Sequence, residues 1–303
     1  MNIAELLAQL PMTDVELDVL KAAQQPPSDK PKPPPPANPA TEASKFTGPE
    51  PALAEKFCDQ ILTGGRAALL ELLNLIQPVT DPAYQCYKAE YLFHCLTIHV
   101  GRAGKERFKH LLAEFLADQI GNAKLAVPVR LFLVRELQLI AGKESVRALG
   151  QLLTDDALCQ PAAAALVIIG TTGIEQLQAY LPKAKGKCRL NIVQSLAALG
   201  SEPATGALRK ALQDPDQDVR AVAAWGLARL GDANSIDVLL KAADVEPSFV
   251  RTKAAQTCLV LAEALIAKGR KREAARIYEH LRDTRTGPKE QYLRDLASKA
   301  LNS

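Results

Sequence analysis

Apolar residues recur along most of this chain at the three- and four-residue spacing of amphipathic helices, and the helical segments themselves repeat. The clearest unit runs from Asp214 to Gly231 and consists of a polar loop, a helical apolar pattern and a terminal glycine. Its Val219-Arg220 pair recurs 31 residues later as Val250-Arg251 and, in weaker form, 31 residues earlier as Cys188-Arg189. A fixed period of about 30 residues predicts a solenoid of stacked helix pairs.

The same pattern predicts six helix pairs, and in most of them the second helix ends at a glycine that suits a left-handed C-cap. The pairs are predicted at 66–77 and 84–100, 104–120 and 128–141, 144–153 and 159–169, 173–181 and 187–199, 202–212 and 218–230, and 233–243 and 248–268. The terminal glycines are Gly101, Gly142, Gly170, Gly200, Gly231 and Gly269.

Residues 1–25 carry the pattern of two short amphipathic helices. Ile3, Leu6 and Leu10 share one face, and Thr13 with Glu16 has the spacing of a capping box at the start of the second helix. Helices this short are unstable alone in water, so we expect residues 1–25 to act as a docking element. Because they are acidic, the basic C-terminal region is a candidate surface for them.

Residues 26–51 contain ten of the chain's twenty prolines. This composition predicts a disordered, Pro-rich N-terminal linker stiffened by polyproline II geometry. Its PxxP spacings are also compatible with a proline-recognition module, but any run this dense in proline contains them by chance. We therefore interpret the segment as a spacer.

The residues from Leu212 to Asp232, LQDPDQDVRAVAAWGLARLGD, carry a family resemblance. They resemble HEAT repeats of the short bacterial kind found in the phycobilisome-lyase families. The resemblance is close over 171–262 and loose over 52–170, where Cys159-Gln-Pro replaces the usual Val-Arg. It implies an all-α fold, a right-handed α-α superhelical solenoid of HEAT/armadillo-like helix pairs over 52–269.

After Gly269 the pattern changes. Residues 271–281 resemble the second helix of a tetratricopeptide repeat, and residues 261–269 resemble its first helix. Only one such repeat is present, so residues 270–303 are expected to form tetratricopeptide-like C-terminal capping helices, which a solenoid needs to close its last apolar face.

Composition adds the cellular setting. The net charge of +3 is too small to indicate a nucleic-acid binder, although residues 268–303 hold ten Lys and Arg against five Asp and Glu. Six cysteines without a CxxC pair favour reduced thiols and a cytoplasmic location. No signal peptide or transmembrane stretch is expected, and no membrane partner.

Stacked repeats align equivalent side chains along one surface. In HEAT-like solenoids the second helices line the concave side, so the resemblance implies a polar groove with Trp225 as an aromatic anchor. In the alternative, Trp225 packs against an adjacent repeat. The candidate groove residues are Asn191, Gln194, Val222, Trp225, Arg229, Lys253 and Gln256.

Arg189, Arg220 and Arg251 form a second periodic feature, a ladder at the start of successive second helices. One interpretation is a basic stripe for an acidic partner. The favoured interpretation is structural, in which each arginine pairs with a loop carboxylate such as Asp214, Asp216 or Asp244 and ties neighbouring repeats together.

Three further groups of residues are candidates for a reactive, metal-binding or charged site. Cys188 lies among basic residues at a helix start, which favours a reactive thiol, but it fills the core position of Val219 and Val250. Cys95 and His99 supply only half of a zinc site, so we expect neither a metal nor a cofactor. A cluster of Lys268, Arg270, Lys271, Arg272 and Arg276 is interpreted as a solvated cap face.

These observations predict a non-enzymatic scaffold or adaptor that binds a protein partner, whose identity the residues do not specify. Two alternatives remain open. The lyase resemblance implies a bilin lyase-like enzyme subunit or chaperone, and the basic C-terminal region allows weak binding of nucleic acid or another acidic partner, although nucleic acid is not the expected ligand.

Overall fold

The structure is a computed structural model, and it describes residues 2–11, 18, 48–77, 87–245 and 248–302. The described residues form helices joined by turns and contain no strand, which confirms the predicted all-α class. They fall into two compact units, 1–145 and 146–303. The predicted second N-terminal helix and most of the proline linker lie outside the described residues.

The N-terminal unit contains six α-helices among its described residues. They are α1 (Ile3–Ala8), α2 (Pro51–Thr63), α3 (Gly65–Asn74), α4 (Tyr87–Val100), α5 (Glu106–Ile120) and α6 (Val127–Ile140). Helix α2 packs on α3 and α4, and α4 packs on α6, which in turn packs on α5. The buried core includes Phe93, whose ring meets the edge of the Phe132 ring at a centroid distance of 6.0 Å.

Helix α1 packs on α3, within its own unit. Ile3 and Leu10 are fully buried, and the Ile3 backbone N–H donates to Glu71 Oε1 at 2.8 Å. Asn2 caps the helix by accepting from the Ala4 N–H at 3.0 Å. The helix is six residues long, so its order comes from this apolar burial and not from its own propensity.

The C-terminal unit contains ten α-helices among its described residues. They are α7 (Val146–Leu152), α8 (Cys159–Ile169), α9 (Thr171–Tyr180), α10 (Gly186–Leu199), α11 (Thr205–Ala211), α12 (Gln217–Arg229), α13 (Ile236–Ala243), α14 (Phe249–Ala267), α15 (Lys271–Thr284) and α16 (Gln291–Leu301).

Within this unit the second helices of consecutive pairs pack on one another. Helix α8 contacts α10, α10 contacts α12, and α12 contacts α14, while the shorter helices α11 and α13 pack on their own partners α12 and α14. Helices α15 and α16 extend the stack from α14. This continuous chain of contacts between second helices is the stacked helix-pair arrangement that the 31-residue period predicts.

The observed helix bounds agree closely with the pattern from residue 104 onward. The difference lies before it, because the structure has an additional helix, α2, over Pro51–Thr63, and Gly64 separates it from α3, which the pattern placed at 66–77. Gly65 has a φ of +63°, which favours glycine, so the chain can turn sharply there and begin a new helix.

Four of the six predicted terminal glycines adopt positive φ: Gly170, Gly200, Gly231 and Gly269. At Gly200 the angles are φ 56° and ψ 33°, so this residue is the left-handed C-cap of α10. Gly101 and Gly142 do not have positive φ. Among the six predicted terminal glycines, those with positive φ therefore all lie in the C-terminal unit.

Close contact between α10 and α12 depends on Gly226. A Cβ atom at this position would lie 2.7 Å from Ala197 Cβ and 3.0 Å from Ala197 Cα. Both residues are buried, and the neighbour is a short side chain on helical backbone that cannot rotate away. The spacing of the two helices is thus fixed by the absence of a side chain at residue 226.

We expect Gly226→Ala to lower the free energy of unfolding by roughly 1–3 kcal/mol, because the added methyl group overpacks the helix contact. Gly206→Ala is the matched control, since nothing lies within 4 Å of a Cβ there. It should leave stability unchanged or raise it by up to about 1 kcal/mol through helix propensity. Urea denaturation measures both, and equal stabilities of the two variants would contradict the packing argument.

Candidate binding surface

The predicted groove residues lie on three second helices, α10, α12 and α14, which pack in that order. We call their solvent-facing side the second-helix surface; among its residues Gln194, Trp225, Arg229 and Lys253 are exposed, and Asn191, Val222 and Gln256 are partly buried. Trp225 keeps 42% of its surface exposed. It is the one tryptophan of the chain, so its position away from the core distinguishes this helix from its neighbours.

Arg229 covers the exposed indole of Trp225. Its guanidinium carbon lies 4.7 Å from the ring centroid, within the range of a cation–π contact. The i, i+4 spacing on α12 places the two side chains on one face. A cation on one side of the ring leaves the rest of the indole available for contact with another molecule.

A similar pair occurs on the next second helix. Lys253 Nζ lies 5.5 Å from the centroid of the Phe249 ring on α14, again with a spacing of four residues. Phe249 is 75% exposed. Position 253 was predicted as part of the groove, whereas Phe249 was not identified from the sequence.

Equivalent positions continue the row toward the C-terminus. Gln256 stands one period after Trp225, and its Nε2 donates to the Tyr292 hydroxyl on α16 at 3.2 Å. Tyr292 is itself 43% exposed. The second-helix surface therefore combines aromatic rings with amide groups.

The ladder arginines share one local contact. Each donates to a backbone carbonyl in the loop before its own helix: Arg189 to Leu181 at 3.2 Å, Arg220 to Asp214 at 2.7 Å and Arg251 to Val245 at 2.9 Å. These bonds satisfy loop carbonyl groups that follow the first helices and lie outside their hydrogen-bond ladders.

Two of these arginines also reach a carboxylate of the next repeat. Arg189 forms an ion pair with Asp214, whose side chain is buried. Arg251 Nε donates to Glu290 Oε1 at 2.6 Å. Asp216, the other predicted ladder acid, instead caps α12 by accepting from the Asp218 N–H at 2.8 Å.

The Arg251 contact belongs to a buried polar network that closes the C-terminal end of the stack. Arg285 is fully buried; it donates to the Ala243 carbonyl at 2.6 Å and to Asp244 Oδ1 at 2.8 Å. The bonds from Arg251 hold the pKa of Glu290 below its ordinary value, although burial acts in the opposite direction. The carboxylate therefore stays ionised between the two arginines.

The cysteines of the described residues carry free thiols. Burial raises the pKa of Cys58 and of Cys258 to about 12, and it also raises the pKa of Cys188, which lies against Asp156 with Sγ 3.4 Å from Oδ1. A thiol with a raised pKa is a poor nucleophile at neutral pH. Cys188 is 1% exposed, as the core interpretation expected.

The histidines near Cys95 pair with carboxylates of other helices. His94 Nδ1 lies 3.0 Å from Glu136 Oε2, and His99 Nε2 lies 2.9 Å from Asp59 Oδ1. Over the ranges that the structure describes, which leave out Cys86, no group of three or more His, Cys, Asp or Glu side chains is arranged to hold a metal ion.

Several cations of the basic cluster already have partners. Lys268 donates to the Leu230 carbonyl at 2.7 Å, Arg270 Nε donates to Glu273 at 2.8 Å, and Arg276 forms an ion pair with Asp237. These bonds favour the interpretation of the cluster as a cap face. None of the described helices combines the length and apolar character that crossing a bilayer requires.

Residues 174–259 match the family model described as HEAT repeats. This segment covers most of the fourth to sixth predicted helix pairs, so the HEAT resemblance is confirmed there. The match does not distinguish the phycobilisome-lyase type from other HEAT repeats, and it does not reach the tetratricopeptide-like end. No curated protein sequence matches the chain.

Three solved structures are similar to the chain, each covering 83% of it. An engineered protein is 17% identical with a TM-score of 0.45 over 74% of its own length. Human deoxyhypusine hydroxylase in complex with glycerol is 16% identical with a TM-score of 0.32 over 98% of its length. A structure of computationally designed armadillo repeat proteins for modular peptide recognition is 17% identical with a TM-score of 0.30 over 92% of its length.

We expect Asp214→Asn to lower the free energy of unfolding by roughly 1–3 kcal/mol, because a buried acceptor of Arg189 loses its charge. Asp216→Asn is the matched control, since asparagine caps a helix about as well as aspartate. Thermal and urea unfolding measure both variants. Equal losses at the two positions would show that the ladder bond adds nothing beyond capping.

The lowered pKa of Glu290 predicts a dependence of stability on pH. A carboxylate with a lowered folded-state pKa stabilises the fold above its ordinary pKa of 4.5, and this contribution is lost as pH falls through the lower folded-state value. Glu290→Gln should therefore be less stable at pH 7 and lose less further stability between pH 5 and pH 3 than the wild type. Glu279→Gln, at an exposed position on α15, is the control, and it should lose less stability at pH 7 than Glu290→Gln.

Proposed function

We propose that this protein is a non-enzymatic interaction scaffold or adaptor that binds a protein partner through the second-helix surface. The observation that carries the proposal is the exposed Trp225 on α12 with Arg229 over its ring at 4.7 Å. Tryptophan and arginine are among the residue types most enriched in binding hot spots. Burial of an exposed indole by a partner makes the free energy of binding more favourable.

The neighbouring positions support a protein partner. Gln194, Gln256 and the Tyr292 hydroxyl offer hydrogen-bonding groups beside the aromatic anchor. Protein interfaces combine an apolar centre with polar groups around it. Here Trp225 on α12 supplies the apolar centre, and Gln194 and Gln256 on the neighbouring second helices supply polar groups. Nucleic-acid binding is less well supported, because the ladder arginines and several cations of the basic cluster are already bonded to protein groups.

We assign no catalytic role to the chain. The thiols of Cys58 and Cys258 have pKa values raised to about 12 by burial, which makes them unsuited to nucleophilic catalysis or bilin attachment at neutral pH. The lyase-like and tetratricopeptide-like resemblances remain predictions. Within the proposed scaffold, residues 52–269 would supply the repeats, 270–303 the capping helices and 1–25 a docking element in the cytoplasm.

Affinity capture from a lysate of the source cells, quantified by mass spectrometry, tests the scaffold function. The bait is the full chain, compared with the double variant Trp225→Ala/Arg229→Ala. We expect a partner that the wild type captures to fall about tenfold or more with the double variant, because loss of a hot-spot pair costs at least about 2 kcal/mol.

The control bait is Lys210→Ala/Lys241→Ala, which changes two exposed cations on the first helices α11 and α13. It should capture the same partner as the wild type. Capture that is equal for all three baits would place the partner elsewhere on the chain and refute the second-helix surface as the binding site.

A further inference from the structure

The ladder lacks one of its carboxylates. Asp214 receives Arg189 of the preceding repeat, and one period later, at 214 plus 31, the chain has Val245. Arg220 is the ladder arginine that a carboxylate at residue 245 would receive. The next arginine, Arg251, again has its acid in Glu290. Among the described residues, which leave out Glu246, the inter-repeat tie is thus missing at the middle rung, between α12 and α14.

Arg220 remains held in place without that tie. Its Nη1 donates to the carbonyls of Asp214 at 2.7 Å and Pro215 at 2.9 Å, and the side chain is partly buried. Among the described residues these are its only bonds, and they leave Nε and Nη2 without an acceptor. Such a guanidinium is positioned in advance for a planar, two-point contact with a carboxylate.

A groove opens at the same junction. It lies between α12, α13 and α14, has a volume of about 580 Å³, and is lined by Arg220 together with mainly apolar side chains. Its apolar residues include Ala221, Ala224, Leu239, Val245, Val250 and Ala254. Val245 and Val250 are 42% and 44% exposed, so this surface meets water in the free protein.

The rim of the groove has a net positive character. Arg220 and Lys253 outnumber the single acid, Asp218, among the lining residues. Phe249, the neighbour of Lys253 on the rim, is the most exposed large hydrophobic residue of the described chain. An apolar floor beside an unpaired cation matches a ligand that carries both a bulky apolar group and a negative charge.

We propose that this groove binds a short partner segment in which an Asp or Glu side chain neighbours a bulky apolar residue. The carboxylate accepts from Nε and Nη2 of Arg220, in the place that Asp214 takes on Arg189, and the apolar side chain fills the groove beside Val245 and Val250. The proposal rests on the proposed function as a protein-binding scaffold. It adds a second contact site with its own chemistry.

A random heptapeptide library displayed on phage, without free peptide C-termini, tests the proposal on the full chain. Selection on the wild type, with counter-selection on Arg220→Gln, should enrich peptides that hold Asp or Glu within two positions of Phe, Leu or Ile. A synthetic, fluorescein-labelled copy of the most enriched peptide is then titrated by fluorescence anisotropy. Its Asp→Asn or Glu→Gln analogue should bind at least tenfold more weakly.

Two isosteric variants provide the sharpest comparison. Val245→Asp restores the ladder acid, which occupies Arg220 from within, and should weaken peptide binding at least tenfold without lowering the thermal midpoint. Val245→Asn has nearly the same shape as Val245→Asp and no charge, so both variants lose the same apolar contact, and Val245→Asn should bind the peptide at least tenfold more tightly than Val245→Asp. Equal binding by these two variants, or enrichment of peptides without acids, would overturn the proposal.

Two other variants distinguish peptide binding in the groove from binding at the second-helix surface and from pairing of Arg220 with an acid of this chain. Trp225→Ala/Arg229→Ala should bind the selected peptide as the wild type does, so a failure of the second-helix surface and a failure of the groove are distinguishable. Glu246 lies outside the described residues, and Glu246→Gln should also leave the affinity unchanged. A gain in affinity for Glu246→Gln would show that Arg220 has an acid within the chain and would overturn the assignment.

Discussion

The C-terminal unit depends on close contact between consecutive second helices. Helices α8, α10, α12 and α14 form a continuous series, and their spacing is set by small side chains such as Ala197 facing Gly226. Dispersion forces fall off steeply with distance, so a helix contact of this kind is stabilised only when both faces are small and complementary. This requirement explains why Ala recurs on these helices and why aromatic residues make up only 5% of the chain.

A stack held together by small apolar faces needs polar bonds to fix its register. The ladder provides them, because each arginine is fastened to its own loop and two of the three then reach an acid of the next repeat. Where the acid is absent, at Val245, the repeats still pack through α12 and α14 but a groove opens between them. The groove and the missing carboxylate therefore occur at the same junction of the stack.

Periodicity predicted the fold well because every repeat solves the same packing problem. The bounds of α10, α12 and α14 follow from apolar spacing, loop acids and terminal glycines, all of which are local in sequence. Helix α2 was not predicted, because the positive φ of Gly65, which allows α3 to begin directly after α2, leaves little trace in hydrophobic spacing. The packing of α1 on α3 was also not predicted, since both helices have ordinary leucine-rich patterns that do not specify a partner.

The candidate sites were less predictable from the sequence than the fold. Trp225 was identified because it departs from the repeat, and departures stand out against a regular background. Phe249 was overlooked although it pairs with Lys253 as Trp225 pairs with Arg229, because an aromatic residue at a helix start resembles a core position. The 31-residue period alone places Val245 at the position equivalent to Asp214. An apolar residue in that loop becomes informative only once the structure shows which bonds Arg220 makes. In this repeat unit, candidate contact residues such as Arg220 emerge from comparing bonds between equivalent positions, because residue types alone do not distinguish Arg220 from Arg189 and Arg251.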